Sequence, residues 1–166
     1  MAVSKIRPFL WFGTNAEDAA NLYVSIFKNS KILNVMRSPD PHVAMGVELE
    51  IEGQQIIAFN GGPHFKLTEA VSMFVTCDTQ AEVDMYWDKL IADGGAPSQC
   101  GWLKDKYGLS WQIIPEALTR LMGDKDGAKA QRVVQAMLTM SKIDIAALQK
   151  AYDEVPVTSS SKSGAE

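Results

Sequence analysis

Apolar and polar positions change period along this chain, and each change marks an element. Apolar residues dominate from Ile6 to Gly13, which predicts a buried strand, and Asn15 then offers an N-cap. Ala19, Leu22, Tyr23, Ile26 and Phe27 follow at the spacing of one helix face. Pro39 and Pro41 mark a loop around 38–40, after which Val47, Leu49 and Ile51 alternate with Glu48, Glu50 and Glu52. That alternation predicts a half-exposed strand, turned by Glu52, Gly53 and Gln54 into an antiparallel partner over 55–59. Asn60 to Pro63 closes the hairpin.

The same order is then written again. Pro8 to Phe12 followed by Asn15 to Tyr23 aligns without a gap on Val71 to Val75 followed by Asp78 to Tyr86, an offset of 63 residues. Thr79 and Glu82 have capping-box spacing for a helix carrying Val83, Tyr86, Trp87, Leu90 and Ile91, which Gly94 and Gly95 end. Trp102 to Lys104, a turn at 105–108 and the run Leu109 to Ile114 form the last hairpin, stopped by Pro115. Outside the repeat, 116–122 and 128–140 read as helices, and Asp144 caps a short amphipathic helix through Ala147, Leu148 and Tyr152. The expectation is one domain over 1–155, with modules at about 5–63 and 68–115, C-terminal helices over 116–153, and a disordered tail at 156–166. A ligand cavity is expected where the modules meet.

Composition narrows the partners. With 46% apolar residues in 166, the chain can build a real core, and its net charge of -4 is scattered without a basic stripe. Neither nucleic acid nor an anionic membrane is expected as a partner. No stretch reaches the ~20 apolar residues of a membrane span and no signal-peptide core is seen, so a cytoplasmic location is expected. Cys77 and Cys100 stand alone, as free thiols.

The doubled strand-helix-strand-strand-strand unit resembles the vicinal oxygen chelate superfamily, the glyoxalase and bleomycin-resistance fold. Four motifs resemble its PhnB-like family, labelled 3-demethylubiquinone-9 3-methyltransferase: Asn60 to Lys66 (NGGPHFK), Cys77 to Asp84 (CDTQAEVD), Gln99 to Asp105 (QCGWLKD) and Trp111 to Pro115 (WQIIP). The resemblance runs from about Lys5 to Tyr152 and implies an α+β fold of two tandem βαβββ modules forming a curved mixed sheet, plus C-terminal helices. It also implies homodimers, for which the unpaired edges of two open modules give a physical motive.

Enzymes of that superfamily hold a divalent metal with two His, Glu or Gln donors from each module. Carried onto this chain, the positions fall on Pro8, near Ile57, on Val71 and on Gln112. Three of these side chains have no donor and the fourth is a neutral amide, so no metal and no other cofactor are expected. His42, between prolines, and His64, after Gly61, Gly62 and Pro63, have no second donor at helix or strand spacing. Methyl transfer from S-adenosylmethionine calls for a glycine-rich turn between a strand and a helix, which the sequence lacks.

The ligand-binding candidates are therefore Gln112, Asn60, Trp102, Phe65 and Phe12, with Phe59 and Tyr107 as further aromatic wall. Gln112 has an alternative role in a hydrogen bond to a neighbouring strand or a water, Asn60 one in the turn, and the aromatic residues one in the core. Strand alternation sets Trp11 and Trp111 opposite to Pro8 and Gln112, under the helices. No catalytic residue can be named. Cys100 has only Lys104 nearby to activate it, and Asp105 suits backbone hydrogen bonds in its turn. The expected function is binding of a small apolar or quinone-like molecule in a metal-free cavity. The alternatives are sequestration without turnover, as in bleomycin resistance, and a metal-dependent lyase or dioxygenase.

Overall fold

The computed structural model describes residues 3–154; the tail expected to be disordered at 156–166 lies outside the described residues. Module 1 runs β1 (Phe9–Phe12), α1 (Ala16–Ile26), β2 (Ser30–Arg37), β3 (Ala44–Ile51) and β4 (Gln54–Asn60). Module 2 repeats it with β5 (Ser72–Cys77), α2 (Gln80–Ile91), β6 (Ala96–Pro97), β7 (Trp102–Lys104) and β8 (Ser110–Pro115). Each module makes one four-stranded sheet, ordered β1-β4-β3-β2 and β5-β8-β7-β6, with a parallel first pair and antiparallel pairs after it. Three helices follow: α3 (Glu116–Met122), α4 (Gly127–Leu138) and α5 (Ile145–Asp153).

Alternation decides which face of each sheet is covered. In module 1, Leu10, Phe12, Val47, Leu49, Ile51, Ile56 and Ala58 are buried in one cluster with Ala16, Ala19, Ala20 and Tyr23 of α1. Module 2 adds Val83, Tyr86, Trp87 and Leu90 of α2 and Trp111 and Ile113 of β8 to the same cluster. Rings join the modules at its centre. Phe27 stacks on Tyr86 with centroids 4.9 Å apart and on Trp111 at 5.4 Å, and Tyr23 meets Trp111 edge-on at 5.2 Å.

A polar node lies beside those rings. Asp105 is buried and accepts four hydrogen bonds: from Tyr23 Oη at 2.7 Å, Trp111 Nε1 at 2.9 Å, and the backbone N–H groups of Tyr107 and Leu109 at 2.9 and 3.0 Å. The backbone role expected for Asp105 is present, and the link to α1 of the other module is an addition that the turn alone does not reveal. Burial first, then the Asp105 charge, pushes the Tyr23 phenol well above its ordinary value.

The elements outside the repeat form a separate apolar cluster. Ile114, Leu118, Leu121, Val133, Ile143 and Leu148 pack together against the end of β8. Cys100 and Gly101 donate backbone hydrogen bonds to Met140 and Ser141, and Ser141 Oγ donates to Ser98. The short β6–β7 side of module 2 is thereby tied to the C-terminal helices.

Four details depart from the sequence reading. The first strand begins at Phe9 rather than Ile6. Strand β2 was not read from its residues, because register shifts between Ile32 and Asn34 and between Met36 and Arg37 break the alternation of its apolar side chains. Asn15 occupies the N-cap of α1 without a side-chain bond; Asn60 Oδ1, from β4, accepts from Ala16 N at 2.8 Å instead. Trp11 does not pack under a helix. It lies on the open face, edge-on to Phe59 and Phe65, with Nε1 donating to the Gly62 carbonyl.

Candidate functional site

The modules meet at an open cavity of about 560 Å³. Module 1 supplies Pro8, Phe27, Ile51, Glu52 and Gln54, and module 2 supplies Ser72 to Thr76, Tyr86 and Trp111. The stacked rings of Phe27, Tyr86 and Trp111 line it, and one side is strand β5, the end strand of its sheet. Two smaller cavities lie elsewhere. One of about 340 Å³ is lined by Trp11, Phe12, Phe65 and Tyr107 among others, and one of about 220 Å³ by Glu69, Trp102, Lys104 and Ser110 with the β6 edge.

The sequence candidates are distributed among these spaces. Phe12 and Phe65 reach the 340 Å³ cavity, Phe12 as a buried core residue and Phe65 as an exposed loop ring. Trp102 reaches the 220 Å³ cavity. Gln112 and Asn60 are not among the lining residues of these three cavities. Gln112 is half-buried on the open face, where its Nε2 donates to Ser72 Oγ at 2.9 Å. Ser72 does line the inter-module cavity, so the amide orients a hydroxyl there without reaching it itself. Asn60 has both amide atoms engaged by backbone, accepting from Ala16 N and donating to Ala44 O at 2.9 Å.

The four positions tested for a metal divide by module. Pro8 and Ile57 are joined through the backbone, Ile57 N donating to Pro8 O at 3.0 Å, and Val71 is exposed just before β5. Register fixes the internal correspondence: Phe74 pairs with Gln112 and, 63 residues earlier, Trp11 pairs with Phe59. The counterpart of Gln112 is therefore Phe59, two residues beyond Ile57, and Phe59 is also without a donor. Side chains of Pro, Ile or Phe, and Val cannot ligate a cation, and Gln112 offers one neutral amide oxygen, so this donor set does not fit the superfamily's metal. Among the described residues no three of His, Cys, Asp and Glu come together elsewhere.

Neither the thiols nor the histidines line the inter-module cavity. Burial, with the Glu82 and Asp78 charges adding to it, pushes the Cys77 thiol up to about 12, so it stays protonated at neutral pH. Cys100 is half-buried in a left-handed turn at φ 57°. His42 and His64 are exposed. Sequence reasoning did not single out Ser72, Met73, Tyr86 or Ser110. The first three line the cavity only because the modules pack as they do, which no spacing within one module reveals.

Two βαβββ modules, each covering one sheet face with its own helix, define the glyoxalase and bleomycin-resistance type of fold. Within that class, a family model described as 3-demethylubiquinone-9 3-methyltransferase matches residues 4–114, and the chain belongs to this family. A PhnB protein from Bacillus cereus, carrying the same methyltransferase name, is 32% identical with a TM-score of 0.62, over 68% of this chain and 99% of its own. The protein PA1353 from Pseudomonas aeruginosa has the same fold at 17% identity and a TM-score of 0.56, over 69% of this chain and 98% of its own. No curated protein matches the chain. Helices α3 to α5 lie beyond the family match.

Proposed function

We propose that this PhnB-like protein binds a small, flat, apolar molecule of quinone-like character, without a metal, in the cavity between its modules. The observation that carries the reading is the composition of that 560 Å³ space, walled by Phe27, Tyr86, Trp111 and Met73 among other apolar residues, with Glu52, Gln54, Ser72 and Thr76 as its polar groups. Its size lies within the roughly 300–1,000 Å³ of small-molecule pockets, and an apolar and aromatic wall with a few polar groups is their usual make-up. Gln112 then acts as a positioning residue through Ser72. The test is a thermal-shift and titration series with quinone headgroups and flat aromatic analogues, with and without S-adenosylmethionine. Stabilisation by the flat ligands, lost in Thr76→Trp, which narrows the cavity from an exposed lining position, supports the reading. Absence of stabilisation across the series overturns it.

A second reading, sequestration without turnover, is favoured by the titratable groups of the cavity. Glu52 and Tyr86 are the ionisable side chains among its lining residues, and burial raises the Tyr86 phenol above its ordinary value, away from neutral pH. Recovery of a bound compound unchanged supports sequestration; a converted product excludes it.

The same proposal includes a homodimer. Phe9, Phe65 and Phe74 are 54%, 67% and 58% exposed, with Met45 and Val71 also exposed, a set of apolar side chains that association would cover. Light scattering tests this, a dimer mass supporting it and a monomer mass at micromolar concentration overturning it.

A further inference from the structure

We propose a second binding site, for a small carboxylate, on the open face of module 2, built by Trp102, Lys104 and Ser110 and closed by Glu69. It is separate from the inter-module cavity and shares no lining residue with it.

Strand register places the three side chains together. Lys104 pairs with Ser110 and Trp102 with Gln112 in the antiparallel β7–β8 ladder, and directly opposed residues project to one face of a sheet. That face is opposite to Leu103, Trp111 and Ile113, which lie in the core. All three also border the cavity of about 220 Å³.

Ser110 supplies the observation that points to a ligand. The residue is 1% exposed, and among the described residues its Oγ is the one buried side-chain polar atom without a hydrogen-bond partner. A buried hydroxyl is costly to leave unpaired, and nearly all in folded proteins are paired. Its neighbours do not relieve it: Gln112 donates to Ser72, and Lys104 donates to Glu69. A bound acceptor within the cavity would accept a hydrogen bond from Ser110 Oγ.

Glu69 identifies the charge of that acceptor. Its Oε1 lies 2.6 Å from Lys104 Nζ, and the hydrogen bond from Lys104 holds its carboxyl below the ordinary value, so a carboxylate already occupies the lysine from the rim of the cavity. The two side chains are 65% and 40% exposed. An ion pair so exposed is weak and screened by salt, which makes Glu69 a displaceable stand-in for a ligand carboxylate. Once displaced, Lys104 offers a charge-assisted hydrogen bond, Ser110 a donor, and the Trp102 ring an apolar wall for a planar acid.

The experiment is a ¹⁵N–¹H titration of the full chain with benzoate, with benzamide as its neutral isostere and inorganic phosphate as a competing anion. Benzoate is expected to shift the amides of 102–104 and 110 saturably, and benzamide to leave them unmoved. Lys104→Met should abolish the shifts, Ser110→Ala weaken binding, and Glu69→Gln tighten it about threefold by removing a competing exposed ion pair. Unmoved amides with millimolar benzoate, equal binding of benzamide, tighter binding of phosphate, or weaker binding in Glu69→Gln would each overturn the proposal.

Discussion

The two modules share a backbone plan and differ in what they place on it. Matched by the 63-residue offset and by strand register, Phe9, Ile57 and Phe59 of module 1 correspond to Ser72, Ser110 and Gln112 of module 2. The open face of one sheet is apolar where the other carries hydroxyls and an amide. On the covered face the contrast reverses in size: Ala58, beside the alanines of α1, corresponds to Trp111, which reaches Phe27 and Tyr23 of the other module. Duplication kept the shape and redistributed the chemistry. At these matched positions the apolar side chains lie on module 1, while Ser72, Ser110, Gln112 and the ring that locks the modules lie on module 2.

Breaking the asymmetry at its largest point means Trp111→Ala, which removes the shared ring and the Nε1 bond to Asp105. A loss of about 3–5 kcal/mol is expected, read from the denaturant midpoint. Next is Ile143→Ala in the cluster that supports the short strands of module 2, costing about 2–5 kcal/mol. Amide exchange should rise at 100–104 and stay unchanged in β3 and β4, because module 1 has no part in that cluster.

Tyr23→Phe tests the polar link between modules and should cost about 1.5–3 kcal/mol, the range for a hydrogen bond to a charged group. It also carries a pH signature. The folded phenol titrates above its ordinary 10.0, so its contribution is complete below pH 10 and is lost as pH rises toward the folded value. Above pH 10 the parent protein should lose stability more steeply than Tyr23→Phe, by up to about 1.4 kcal/mol per pH unit. Tyr86 acts in the same direction in both proteins and cancels in the comparison.

The smallest effect compares the two helix caps. Thr79→Ala removes a local cap, Thr79 Oγ1 accepting from Glu82 N, and should cost about 1 kcal/mol. Asn60→Ala removes a cap delivered from a distant strand together with the bond to Ala44 O, and should cost about 1–2 kcal/mol. Equal costs would show that the second bond contributes nothing.

What was legible in the sequence follows the same division. Regular alternation and local caps exposed β3, the hairpin into β4, α2 with its Thr79 cap, β7, β8 and the three C-terminal helices to within a few residues. The bulged β2 and the two-residue β6 carry too little periodicity to be read. Trp11 was misplaced because Pro8, carried over as a metal position, was set on the open face; Leu10 and Phe12, in phase with Pro8, are buried against α1, which leaves Trp11 on the open side. The motifs that carry the family resemblance were visible directly. The cavities were not, since Phe27, Tyr86 and Met73 border one space only after two modules have packed, and Ser110 becomes notable only when its burial and lack of a partner are known.

The central claim is that the space between the modules holds a flat apolar ligand. Its most direct measurement is a ¹⁵N–¹H titration with a tail-less quinone headgroup, comparing the parent chain with Thr76→Trp. The account predicts saturable shifts at 72–76 and at Trp111, with one ligand per chain, and their loss in the variant. Shifts confined to other surfaces, or identical in both proteins, would contradict it.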